Sequence, residues 1–269
     1  MFLLGYTNIA PHCMTSKLVV ALMGVILGTI AVPAQSRPQA TLHIAAAADL
    51  QPVMPAIAQE YERQTGVKLE VSFGSSSTLA TQILNGAPVD VFLGADFSFP
   101  EKVVAANLAD QAAPTPYATG TLVLWTRKDS GIAPLSIDRL IDARITRIAI
   151  ADEFHAPYGR SAYAAIDALK LRDKLKGKLV IAENVGQAAQ FAESGNAQVA
   201  FISLTLANSE HMRRVGTYER APKIYPKLIQ CGAVVKSSPS LAEAHRFLTW
   251  LTSPKIQMLL PKLGLEPAN

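Results

Sequence analysis

Short apolar runs alternate along this chain with longer stretches in which apolar residues recur every three or four positions, the signatures of strand and amphipathic helix. Leu42 to Ala47 reads as a strand, and the helix after it carries a stripe of Leu50, Val53, Met54, Ile57, Ala58 and Tyr61 that ends at Gly66. Lys68 to Phe73 alternates as a second strand; the next helix buries Leu79, Ala80, Ile83 and Leu84 and stops at Gly86, before a short buried strand at Val89 to Leu93. A second series opens at Gly120 to Trp125. Its strand Arg147 to Ala151 feeds the loop Asp152 to Gly159, and a helix follows with Ala162, Ala165, Ile166 and Leu169 on one face. Strands at Lys178 to Ala182 and Gln198 to Ser203 flank a helix around Val185 to Ala192. The tail returns with an apolar strand, Leu228 to Val235, and a helix holding Leu241, Ala244, Leu248 and Leu251. This alternation predicts an α/β protein with mixed, mostly parallel sheets. Two such series predict two lobes, with a cleft between them as the usual place for a small ligand.

The front of the chain has a different pattern. Lys17 precedes an apolar run from Leu18 to Val32, and Pro33-Ala34-Gln35-Ser36 follows. A charged segment, an apolar core and a small-residue zone make residues 1–36 a secretory signal peptide, cleaved near Ala34 or Ser36, with Met1 or Met14 as the start. The apolar run is shorter than the ~20 residues that span a bilayer. Export to the periplasm as a monomer is the expectation. Of the two cysteines, Cys13 leaves with the leader and Cys231 stands alone in an apolar strand, so the mature chain has no internal disulfide. Against 21 acidic residues the 25 basic ones leave a formal charge of only +4. They are scattered without aromatic interleaving, which argues against a nucleic-acid partner. The cluster Lys174-Leu175-Lys176-Gly177-Lys178 reads as a solvated turn.

Two strand-to-helix junctions carry the chemistry. Ala45-Ala46-Ala47-Ala48-Asp49-Leu50 and Phe73-Gly74-Ser75-Ser76-Ser77-Thr78 are built from small residues at the start of a helix, where backbone N–H groups lack intrahelical acceptors and the dipole is positive. With serine hydroxyls and no adjacent Lys or Arg, they suit an oxyanion held by neutral donors. Serine is also a preferred N-cap, and Ser75 and Ser77 read as residues that cap and hold the loop. Asp49 suits the first turn of a helix whose N-cap is Ala48, with Pro52 beside it; its carboxylate is then expected to turn aside from the ligand. Pro55, a turn later, is expected to bend that helix. Arg160 reads as part of a solvated helix face.

The segments Ala45 to Leu50, Ser72 to Leu79 and Asn85-Gly86-Ala87-Pro88-Val89-Asp90 through Asp96 occur in this order, followed by His155-Ala156-Pro157-Tyr158-Gly159, Glu183-Asn184-Val185 and Ser253-Pro254-Lys255-Ile256-Gln257 ahead of Gly264. Together they resemble the periplasmic molybdate-binding proteins of ABC transporters. The resemblance implies a type II periplasmic-binding fold, with residues 41–121 and 228–269 as lobe 1 and 122–227 as lobe 2. It implies a non-enzymatic receptor without cofactor that carries molybdate or tungstate to an inner-membrane permease. Carried over position by position, the ligand set is Ala48, Asp49, Ser76, Tyr158, Val185 and Ser203, which meet the oxyanion and are not ligands to a metal ion. Asp49 stands where many members have serine, and Ser203 where a tyrosine is common. Molybdate and tungstate offer only acceptors, so a matching site needs donors alone, whereas a carboxylate facing the ligand favours a protonated oxyanion such as phosphate. That anion on the same fold is one alternative. Another is a secreted serine hydrolase using His155, although the serines lack a G-x-S-x-G setting. His155 beside Asp152 and Glu153 has no helical metal-ligand spacing and reads as surface.

Overall fold

The computed structural model describes residues 40–132 and 134–268; the expected leader lies outside them. Chain order gives β1 (Thr41–Ala47), β2 (Lys68–Gly74), β3 (Val91–Gly94), β4 (Thr115–Gly120), β5 (Leu122–Arg127), β6 (Ile148–Ala151), β7 (Leu179–Ala182), β8 (Val199–Ser203), β9 (Gly216–Arg220), β10 (Leu228–Val234) and β11 (Glu266–Pro267). One sheet has the order β11-β4-β10-β3-β1-β2 and the other β7-β6-β8-β5-β9. Thr121 alone separates β4 in the first sheet from β5 in the second, and residues 221–227 bring the chain back to β10. The two sheets are therefore joined by extended backbone crossing in both directions.

The sheets are mixed, but parallel pairing does not predominate as expected. It is confined to β1 with β2 and β3, and to β6 with β7 and β8. β10 runs antiparallel to β3 and β4, and β5 antiparallel to β8 and β9. Parallel neighbours need a crossover long enough to carry a helix. The strands that pass between sheets enter without one and lie down antiparallel.

Alternation along β1 explains how the first sheet is covered on both faces. Leu42, Ile44 and Ala46 pack with Met54, Ile57, Tyr61 and Phe247, whereas Ala45 packs on the other face with Leu79, Ile83, Phe92 and Phe99. Burial of each large apolar side chain contributes about 1.5–3 kcal/mol. The second sheet has one large core around Leu122 to Trp125, Ile148 to Ile150 and Val199 to Ile202, and this core reaches Ala47, Ala48 and Ala95 of the first. Cys231 is fully buried in β10, with its thiol pushed up to about 12 by desolvation, so it packs as a small apolar residue.

The main helices near the strand ends are α1 (Met54–Thr65), α2 (Ser76–Leu84), α3 (Ser98–Ala105), α4 (Pro157–Ala168), the single turn α5 (Arg172–Leu175), α6 (Val185–Glu193) and the short α7 (Leu204–Ala207). The first junction departs from its expected form. Ala48–Leu50 is one 3-10 turn whose N-cap is Ala47, not Ala48, and α1 starts only at Met54. Pro55 therefore occupies the first turn of α1, where its missing N–H costs nothing, rather than bending a helix from within. Gly66 ends α1 in the left-handed conformation, at φ 73°. Leu84 and Leu169, expected in helix stripes, are 41% and 39% exposed, each at the end of its helix.

The crossing strands pack closely at Gly120. A Cβ there would overlap the Tyr158 hydroxyl and lie 3.1 Å from Gln230 Nε2. Gly120→Ala is expected to cost about 1–3 kcal/mol, the range for overpacking a filled interior. Chemical denaturation should show a smaller loss when Tyr158→Phe has removed the hydroxyl beforehand; equal losses in both backgrounds would mean that this contact does not set the cost.

Candidate functional site

Ends of both sheets meet around one small cavity. Ala47, Ala48 and Asp49 line it from the first junction, Gly74, Ser75 and Ser76 from the second, and Ala95 from the end of β3. Ala156, Pro157 and Tyr158 approach from the start of α4, with Asn184 and Val185 from the start of α6. No Lys, Arg or His is among these lining residues, and Asp49 is the one ionisable carboxyl.

Each junction is set by local chemistry that leaves donors over. Ser75 caps α2: its Oγ accepts from the Thr78 N–H at 3.1 Å, as the sequence suggested. Ser76 opens the helix, so its own N–H has no intrahelical acceptor. Its hydroxyl oxygen accepts from the Ala95 N–H at 3.1 Å, which leaves the hydroxyl hydrogen for another acceptor. Ser77 N–H donates across to the His155 carbonyl at 3.2 Å. In α6, Asn184 Oδ1 caps Gln187 N–H at 3.0 Å, and Val185 is the first helical residue. In α4, Ala156 is the N-cap and Pro157 the first residue, so the first available N–H is that of Tyr158. Gly159 is needed where this helix meets β6, because a Cβ there would overlap the Ala151 carbonyl oxygen.

The Asp49 carboxylate is engaged by side chains from distant elements. Oδ2 accepts from Gln230 Nε2 at 2.5 Å and from the Tyr158 hydroxyl at 3.2 Å, while Gln230 Nε2 also lies 3.3 Å from that hydroxyl. The Tyr158 phenol is thus engaged with Asp49, leaving the backbone N–H as this residue's free donor. Full burial raises the Asp49 carboxyl to about 7, and hydrogen bonds from Gln230 and Tyr158 only partly oppose that rise. Burial, followed by the proximity of the Asp49 charge, pushes the Tyr158 phenol well above its ordinary value.

Five of the six sequence-derived positions, Ala48, Asp49, Ser76, Tyr158 and Val185, line the cavity. Ser203 does not. It caps α7, accepting from Leu206 N–H at 3.3 Å, and its Oγ lies 2.7 Å from Thr205 Oγ1. Thr205 in turn donates to the Asp49 carbonyl at 2.6 Å, so Ser203 stands behind the junction and helps fix it. A serine is too short to reach past Thr205.

Sequence reasoning missed Gln230 and Thr205. The available signal was a long polar side chain in the apolar strand Leu228 to Val235, and a buried polar residue needs a partner. Arg160 is also not simply solvated: its Nη1 lies 3.0 Å from Asp96 Oδ2, joining α4 to the end of β3, and its guanidinium lies 5.6 Å from the Phe99 ring centre. The His155 ring pairs with Asp152 at 2.9 Å, and no serine hydroxyl is bonded to a histidine nitrogen among the described residues.

The chain is 31% identical to the molybdate-binding protein ModA of Azotobacter vinelandii over 250 residues, covering 93% of this chain and 96% of that protein. It is 32% identical over 209 residues to ModA of Rhodobacter capsulatus, covering 76% and 79%. The solved structure of the Azotobacter vinelandii periplasmic molybdate-binding protein superposes with a TM-score of 0.78 at 30% identity, over 83% of this chain and 98% of that one. Residues 42–266 match the bacterial extracellular solute-binding proteins, and the chain belongs to that family.

Proposed function

We propose that this protein is a periplasmic receptor that captures molybdate or tungstate between two lobes and delivers it to an ABC permease, without catalysing a reaction on it. The observation that carries the reading is the convergence of helix starts from both sheets on a cavity lined by no cationic side chain. A fully ionised tetrahedral oxyanion offers only acceptors. It is matched here by the Asp49, Ser76, Tyr158 and Val185 N–H groups and the Ser76 hydroxyl, with Ala48 supplying a small wall. An Asp49 carboxylate engaged by Gln230 and Tyr158 accounts for preference against phosphate, which needs an acceptor for its proton.

Residues 41–121 with 228–269 form one lobe and 122–227 the other in this reading, and the crossings at Thr121 and at 221–227 act as the hinge. Binding draws the lobes together because the donors are divided between them, shifting an open–closed equilibrium. Ser77 to His155 and Arg160 to Asp96 are contacts that closure gains. The relatives named as molybdate-binding proteins support both the ligand and the periplasmic setting. Calorimetric titration with molybdate, tungstate, sulfate and phosphate tests the reading. The first two should bind far more tightly than the others; molybdate binding no tighter than sulfate would overturn the assignment.

A further inference from the structure

We propose that the protein takes up its oxyanion together with one proton, which resides on Asp49 and is shared with the Gln230 amide. The inference rests on the oxyanion reading above and adds a chemical partner that no hydrogen-bond donor set by itself requires.

Asp49 is fully buried, and among the described residues the side chains that hydrogen-bond its carboxyl are neutral. α4 presents the Tyr158 phenol, β4 the Tyr117 phenol, and β10 the Gln230 amide with the buried Cys231 thiol beside it. α7 presents Thr205, bonded to the Asp49 carbonyl, and α6 begins with Val185. At the end of β2 stand Gly74 and Ser75, which carry no charge. Both phenols are raised well above their ordinary range and the thiol to about 12, so none ionises near neutrality. Arg160 on α4 is committed to Asp96. Among the described residues, no Lys, Arg or His pairs with Asp49 to balance its ionised form.

The hydrogen bonds are also incomplete in a way that one proton would repair. Among the described residues, Asp49 Oδ1 and Gln230 Oε1 are both buried without a partner, although the other oxygen of the same carboxyl already accepts from the other atom of the same amide. A carboxylic acid facing a primary amide closes two hydrogen bonds: the amide N–H donates to one carboxyl oxygen, and the acid O–H donates to the amide oxygen. A carboxylate can form only the first. Buried polar atoms are seldom left unsatisfied, so two orphans on one pair point to the protonated form.

An anion seated on the Asp49 N–H then brings two negative charges within a few bonds of this carboxyl, in a region shielded from water. Like charges at such range favour the neutral acid. With the free carboxyl titrating at about 7, binding above that pH must draw a proton from solution.

The test is calorimetric titration of the protein with sodium molybdate from pH 6 to 9, repeated in buffers of different ionisation enthalpy. The expected heats depend on the buffer above pH 7, with uptake approaching about one proton per anion, and Kd rises toward about tenfold per pH unit there while staying flat near pH 6. In Asp49→Asn, whatever affinity remains should show neither buffer nor pH dependence. Molybdate binding with buffer-independent heats and a flat Kd in the unmodified protein would overturn the proton while leaving the oxyanion reading intact. Persistence of the linkage in Asp49→Asn would overturn its assignment to this residue. Absence of binding by molybdate, tungstate, sulfate and phosphate at every pH would instead remove the oxyanion reading, and the proton with it.

Discussion

Asp49→Asn is expected to stabilise the anion-free protein strongly at pH 8 and progressively less as the pH falls toward 4. The folded carboxyl titrates at about 7 against an unfolded value of 3.8. Between those values the unfolded chain gives up its proton first, so the wild-type fold loses stability as pH rises through this window, and the loss is complete above 7. The separation between the two values corresponds to roughly 4 kcal/mol, on the order of 10 °C in Tm for a chain of this size. The asparagine keeps the shape and stays neutral. Its amide can donate to the Gln230 oxygen that is now unpartnered and accept from the Tyr158 hydroxyl. Denaturant titrations of both proteins at pH 5, 6.5 and 8 would show a gap that widens with pH. A gap of constant size would mean that the folded carboxyl is already ionised across this range, as in the unfolded chain, and so is not desolvated.

How far the sequence reveals this arrangement depends on the range of the interaction involved. The Ser75 cap of α2 is legible because donor and acceptor lie three residues apart. The order of strands and helices is legible because burial imposes periods of two and 3.6 on nearby residues. The start of α1 is not fixed by such a pattern, since two prolines, Pro52 and Pro55, each satisfy the rule for a first turn and only packing selects the second. The orientation of Asp49 is not legible from its place at the junction, because the groups that hold it are 109 and 181 residues away in sequence. Gln230 has no partner within its own strand, and nothing local to Ser203 separates it from the cavity, because Thr205 stands between them only in the fold. Long-range polar pairing decides the character of this site, and it leaves almost no local trace.

That division also governs what the serine junction should do on substitution. Ser76→Ala is expected to raise the molybdate Kd roughly ten- to 150-fold, the equivalent of about 1.5–3 kcal/mol for a hydrogen bond to a charged acceptor. The hydroxyl oxygen accepts from the Ala95 N–H, which leaves its hydrogen to be donated to whatever fills the cavity. Removing it withdraws a donor from the anion and also leaves that buried N–H without an acceptor, so some stability is lost as well. Ser75→Ala separates the two effects. Its side chain caps α2 through Thr78, and losing a serine cap costs about 0.5–2 kcal/mol of stability, visible in the melt. If Ser76 is the donor and Ser75 the cap, calorimetry should rank Ser76→Ala far below Ser75→Ala in affinity even where their melting temperatures are similar. An unchanged molybdate Kd in Ser76→Ala would take this hydroxyl out of the site and leave the anion to the backbone N–H groups alone.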